Sequence, residues 1–143
     1  MTQPPIPHNH SIPESAVMPV LAYADVRAAV AWLVSAFGCT ERLRIGEHRA
    51  QLALAGGHLV AAELLPGTPA GPGMVLVRVA DVDAHHRRAV AAGARIVAPP
   101  VDQPYGERQY SAEDLGGHRW TFSQTIADVD PASWGGVLTL EAQ

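Results

Sequence analysis

"MVLVRVADVDAHHRRAVAAGA", residues 74–94, decides the fold. It opens on alternating apolar positions that suit a strand, passes through Asp81 into a run at helical spacing, and stops at Gly93. The same syntax stands earlier in "MPVLAYADVRAAVAWL", residues 18–33. There Asp25 is a helix N-cap candidate, since its carboxylate can accept a free amide from the first turn. Ala28, Ala29, Trp32, Leu33 and Ala36 recur at helical spacing, and Gly38 follows as a C-terminal glycine. Met18 and Met74 lie 56 residues apart, as do the two "ADV" triplets at 24–26 and 80–82. Gly38 and Gly93 are 55 apart, while the "GE" pairs at 46–47 and 106–107 and the "GGH" triplets at 56–58 and 116–118 are 60 apart. Unequal loops produce drifts of this size. The chain reads as a tandem duplication.

Each copy reads as a strand, a helix and about three further strands. These last fall near 40–45, 48–54 and 58–65 in the first copy, and near 94–98, 107–112 and 118–124 in the second. The Pro/Gly-rich "LPGTPAGPG", 65–73, separates the copies. One helix and four strands cannot enclose a core on both faces, but two copies side by side can make a longer curved sheet with helices outside and a groove inside. The expected organisation is an N-terminal arm over 1–16, flexible because it carries four prolines and little apolar periodicity. One domain follows over 17–126, with module one at 17–66, a linker at 67–73 and module two at 74–126. A C-terminal tail occupies 127–143.

Composition narrows the function classes. At 143 residues, 48% hydrophobic and 17% charged, the chain suits one compact domain with a sizeable core. A formal charge of -4 gives no basic footprint for nucleic acid. No apolar run approaches the length of a membrane span, and "MTQPPIPHNHSIPES" lacks the pattern of a secretory signal, so a cytoplasmic protein is expected. Cys39, the single cysteine, rules out an internal disulfide or a multi-thiolate metal site and reads as a small buried residue. His8 and His10, on the arm, read as incidental.

The duplicated strand, "AD-V" helix, glycine and closing "D-x-x-G-H" strand resemble the vicinal oxygen chelate superfamily, which includes glyoxalase I, extradiol dioxygenases and bleomycin-resistance proteins. The resemblance covers residues 17–126 and is clearest in the second half, from "VADVDAHHRRAVAAGA" to "SAEDLGGHRW". It implies an α+β fold of two tandem βαβββ modules forming a cup-shaped mixed sheet with helices outside, usually as a homodimer. It also implies a divalent metal held by His, Gln or Glu on the first and last strands of each module.

Carried onto this chain, the family's ligand positions fall on Met18, Ala61, Met74 and Thr121. None offers a carboxylate or imidazole, so neither a metal nor any other cofactor is expected. His58 and His118 stand at turns and read as turn-side groups. His85 and His86, beside Arg87 and Arg88, read as a solvated helix face.

Strand alternation then sets the expected groove. With Thr121 inward, Arg119 and Ser123 face inward too, while Trp120 and Phe122 pack under the helices. By the same parity Leu59 and Glu63 face inward from the first copy, and the opening strands contribute Met18, Val20, Met74, Leu76 and Arg78. Such an apolar wall with a few polar points suits an organic ligand. Glu63 with Arg78 or Arg119 reads equally as a structural ion pair. In "DQPYGERQY", Tyr105 near a turn either stacks on a ligand at the rim or covers the sheet edge, Tyr110 on a strand is expected to touch ligand, and Trp134 lies over the groove, lies over a partner subunit or anchors the tail. No catalytic residue stands out.

The sequence reading is therefore a metal-free protein that sequesters a small hydrophobic or aromatic compound, like the bleomycin-resistance branch and with a role in antibiotic or toxin resistance. The alternative is a glyoxalase- or dioxygenase-type enzyme with an atypical or absent metal site. A third reading has the groove filled by the chain's own groups, the N-terminal arm among them.

Overall fold

In the computed structural model, residues 5–66 and 73–138 are described. The chain divides into two compact units, Met1–Gly71 and Pro72–Gln143. The linker expected at 67–73 lies outside the described residues except for Gly73, as does the end of the tail.

In the first unit, β1 (Val20–Tyr23) leads into α1 (Val26–Phe37), followed by β2 (Thr40–Ile45), β3 (Arg49–Leu54) and β4 (Gly57–Glu63). The sheet order is β1-β4-β3-β2, with β1 parallel to β4 and the other pairs antiparallel. Asp25 caps α1 by accepting from the Ala28 amide at 3.0 Å, and Gly38 ends it in the left-handed region at φ 78°. Leu21, Tyr23, Val30, Leu33, Phe37, Leu52 and Leu59 are buried, and so is Cys39 at 3% exposure.

The second unit repeats this order with β5 (Met74–Arg78), α2 (Val82–Ala91), β6 (Arg95–Asp102), β7 (Glu107–Glu113) and β8 (Arg119–Thr125), in a β5-β8-β7-β6 sheet. Asp81 caps α2 through the Ala84 amide at 3.0 Å. Its core is aromatic: Trp120 and Phe122 are stacked 6.0 Å apart, Tyr110 lies 5.2 Å from Phe122, and all three are essentially inaccessible. The fold class expected from sequence, α+β with two βαβββ modules, is the one observed, as two four-stranded mixed sheets.

The two "GGH" triplets are not equivalent in three dimensions. In the first unit Leu54 pairs with Gly57 across a two-residue hairpin, Ala55–Gly56, with φ 52° and 83°, so Gly57 and His58 already belong to β4. In the second unit Glu113 pairs with Arg119, and residues 114–118 form a longer loop. Asp114 organises that loop by accepting from the amides of Gly116 and His118 and from the Trp120 indole at 2.9–3.0 Å. The Gly73 amide donates to Nδ1 of the buried His118.

This difference shifts β4 by one residue relative to β8, and a one-residue shift exchanges the two faces of a strand. Arg27 of α1 donates to Glu41, which pairs with Leu52, which pairs with Leu59, so Leu59 lies on the helix-facing side. Leu59 and Ala61 are 3% and 0% exposed. The inward position expected for Leu59 and Glu63 is therefore corrected: alternation places both on the α1 side, and Val60 is the counterpart of Thr121. Val20 pairs with Val60, on the opposite, open face.

N-terminal residues cover that open face of the first sheet. Arg42 Nη2 donates to the carbonyls of His10 and Ile12, Gln51 Nε2 donates to that of Ser11, and Ser15 Oγ meets His58 Nδ1 at 2.6 Å. The flexible arm expected from sequence is bound to the sheet over this stretch.

Candidate functional site

The open face of the second sheet brings together most of the residues singled out in that half. Met74 pairs with Arg119, Leu76 with Thr121 and Arg78 with Ser123, while Thr121 and Ser123 pair on their other side with Ser111 and Gln109. All point away from α2, because the alternate residues Trp120, Phe122 and Tyr110 carry its packing. Met74 and Leu76 are 75% and 65% exposed, a large apolar area beside polar groups.

Those polar groups form one connected chain. Tyr105 Oη donates to Gln109 Oε1 at 3.0 Å, Gln109 Nε2 donates to Ser123 Oγ at 3.0 Å, and Ser123 Oγ donates to Glu107 Oε1 at 2.7 Å. Arg78 Nη2 donates to Thr125 Oγ1 at 3.0 Å. The Thr125 hydroxyl, the largest influence, outweighs the opposing effect of burial and, with the weaker help of the Ser123 hydroxyl and the Arg78 charge, holds the Glu107 carboxyl below the usual carboxylate range. Glu107 is thus an ionised acceptor at neutral pH, and the donors run towards it in one direction. Nearby, Ser111 and Thr121 share a 2.8 Å hydroxyl contact, and Arg119 approaches Glu113 at 3.9 Å.

An aromatic pair borders this network. The Ile126 and Ala127 amides donate to the Gly106 carbonyl, turning the tail back after β8. A short 3-10 turn, Pro131–Trp134, capped by Asp130, then sets Trp134 edge-on to Tyr105 at a ring separation of 5.5 Å. Trp134 remains 46% exposed. Its indole thus lies against Tyr105, a residue of the same unit.

Two expectations for this half are corrected. Tyr110 is 1% exposed on the α2 side, where its hydroxyl meets His85 Nδ1 at 2.6 Å, so it is a core residue outside the open face. Burial pushes its phenol well above the usual range. Nor is His85 merely solvated: its ring lies 4.0 Å from that of Phe122, and His86 packs edge-on to Tyr110. Glu107, Gln109 and Thr125 were not anticipated. The signal that reveals them is cross-strand register, since Gln109 faces Ser123 and Glu107 faces Thr125. Arg78 and Arg119 find polar partners in their own sheet, Thr125 and Glu113.

With the register corrected, the positions corresponding to the metal ligands are Met18, Val60, Met74 and Thr121. Two thioethers, an alkyl group and a hydroxyl do not fit the hard or borderline ions that His and carboxylates hold. Among the described residues no group of three or more His, Cys, Asp or Glu could hold a metal ion. Among them, too, no helix is long and apolar enough to cross a membrane.

Residues 15–122 match the family model described as "Glyoxalase/Bleomycin resistance protein/Dioxygenase superfamily". The uncharacterized protein Rv0887c of Mycobacterium tuberculosis is 30% identical over 136 residues, covering 82% of this chain and 78% of the relative. Among solved structures, TioX from Micromonospora sp. ML1 is 37% identical with a TM-score of 0.67, covering 81% of this chain and all of that one. The fosfomycin resistance protein FosX from Listeria monocytogenes shares the fold at 17% identity and a TM-score of 0.63, covering 79% of this chain and 94% of that one.

Proposed function

The chain belongs to the Glyoxalase/Bleomycin resistance protein/Dioxygenase superfamily, and on that premise we propose that it binds and sequesters a small hydrophobic or aromatic organic compound on the open face of its second sheet. The observation that carries this reading is the exposed Met74–Leu76 surface beside the Tyr105–Gln109–Ser123–Glu107 chain and the Tyr105–Trp134 pair. An apolar bed with few fixed polar groups recognises a ligand by shape and a small number of hydrogen bonds. The methionine adapts its shape to a flat ring, and Trp134 offers an aromatic edge beside it.

Binding without chemistry is favoured by the state of the polar groups. Ser123 donates to a carboxylate whose lowered pKa makes it a weak base, so the hydroxyl is held and not activated. The family's metal positions supply no suitable donors. A fosfomycin resistance protein is built on the same fold, and the role proposed here is likewise protection from a toxic compound, by occupancy.

Tryptophan-fluorescence titration with bleomycin and with a polycyclic aromatic probe such as acridine tests the reading. Saturable quenching is expected, lost in Trp134→Phe and weakened severalfold in Met74→Ala. Quenching that survives Trp134→Phe unchanged places the ligand elsewhere, and a stoichiometric zinc, nickel, iron or manganese ion that survives dialysis would overturn the metal-free reading.

A further inference from the structure

The polar chain on the second sheet has a direction that its chemistry fixes. Glu107, ionised at neutral pH, has no hydrogen to give and only accepts. Ser123 Oγ touches both Glu107 Oε1 at 2.7 Å and Gln109 Nε2 at 3.0 Å. It owns one hydrogen, and the carboxylate claims it. The Gln109 amide must therefore present its nitrogen to Ser123, which turns its oxygen to Tyr105. Towards that oxygen, 3.0 Å away, Tyr105 Oη can only donate. The other branch runs the same way: Arg78 Nη2 donates to Thr125 Oγ1 at 3.0 Å, which leaves the Thr125 hydrogen for Glu107. One carboxylate thus sets the polarity of the whole chain.

Tyr105 is the member of this chain that meets the aromatic edge of the site, its ring 5.5 Å from that of Trp134. Its hydroxyl hydrogen is committed to Gln109, so towards a ligand it has lone pairs alone. We propose that Tyr105 selects aromatic compounds carrying a ring N–H or a phenolic O–H by accepting their hydrogen, with Gln109 as the positioning residue that holds the tyrosine's own hydrogen away. This selection rests on the ligand surface proposed above and names the chemistry of its occupant. A ligand edge that only accepts, such as a ring ether oxygen, would set lone pairs against lone pairs there and leave both without a hydrogen.

The test compares bicyclic probes of one shape: indole, with a ring N–H; benzofuran, with a ring oxygen; and indene, with neither. Each is titrated into the full ¹⁵N-labelled chain, and the Trp134 indole signal, assigned by its loss in Trp134→Phe, reports binding. Indole is expected to bind about three- to tenfold more tightly than benzofuran or indene, the span of one net hydrogen bond. Tyr105→Phe is expected to bring the ratio of indole to benzofuran affinity down to about one. Gln109→Leu removes the acceptor of the Tyr105 hydrogen together with the remaining Gln109 donor. Benzofuran is therefore expected to gain about threefold in that variant, through Tyr105 alone. Indole and benzofuran binding alike to the unsubstituted chain, with Trp134 shifting saturably, would overturn the selection and leave the ligand surface standing. So would a preference for indole that survives Tyr105→Phe undiminished, or benzofuran without gain in Gln109→Leu. Where Tyr105→Phe binds none of the probes, the Gln109→Leu result decides. No saturable shift of Trp134 with any probe would overturn the surface and the selection together.

Discussion

Replacing Gly106 with alanine is expected to detach the C-terminal tail from the second sheet and carry Trp134 away from Tyr105. Gly106 sits at φ +84°, a region where a Cβ costs about 1–2 kcal/mol. Space is the larger obstacle. A Cβ there would stand 2.3 Å from the Ala127 carbonyl oxygen and 2.9 Å from Val129 Cγ2, and the first of these is backbone that cannot rotate aside. The tail must move, which breaks the bonds from the Ile126 and Ala127 amides to the Gly106 carbonyl, each contributing about 0.5–1.5 kcal/mol. Together these give a loss of about 2–5 kcal/mol, or roughly 6–15 °C in Tm for a chain of this length. Iodide quenching of tryptophan emission, compared with and without Trp134→Phe, reports the position of Trp134 directly. An unchanged Tm with unchanged Trp134 accessibility would refute the reasoning. A lower Tm with Trp134 still protected would refute the tail-anchoring part alone.

Two further outcomes are expected. Ala55→Asn should raise stability by about 0.5–1 kcal/mol in urea unfolding, because Ala55 occupies a left-handed position (φ 52°) in a two-residue hairpin where Asn before Gly is favoured. Lowering the pH should weaken the second unit late. Glu107 has a depressed folded-state pKa, so its contribution is fully present above the unfolded carboxyl value of about 4.3 and is lost as pH falls through the lower folded value. In acid titrations followed by near-ultraviolet circular dichroism, Glu107→Gln should flatten that dependence below about pH 4.3 without altering it at neutrality.

Local signals made much of this fold legible. Asp25 and Gly38 announce their helix ends, and the Met18/Met74 and "ADV" repeats carry the duplication, because caps and periodicity depend only on neighbours along the chain. The face assignment in the second half followed correctly from Thr121, which fixed Arg119 and Ser123 by alternation. It failed in the first half because the "GGH" echo hides a change in hairpin length. Ala55–Gly56 makes a tight turn where residues 114–118 make a loop, and composition does not reveal which glycine begins the strand. Tyr110 and His85 were misread for a related reason: which side of β7 meets α2 depends on pairing with β8. The Glu107–Ser123–Gln109 chain stayed hidden because each bond crosses between strands. The grip of Arg42 on the N-terminal carbonyls spans about thirty residues of sequence and leaves no trace in periodicity.

The burial of Cys39 has a practical consequence. As the sole thiol, seated at the end of α1 with 3% exposure, it reacts with a soluble reagent only when the first unit opens. Its labelling rate is therefore an intrinsic clock for that unit alone, insensitive to events around Trp120 and Trp134 unless the two units open together. Comparing this clock with the loss of the Trp120 signal would establish whether the duplicated halves unfold as one cooperative body or as two.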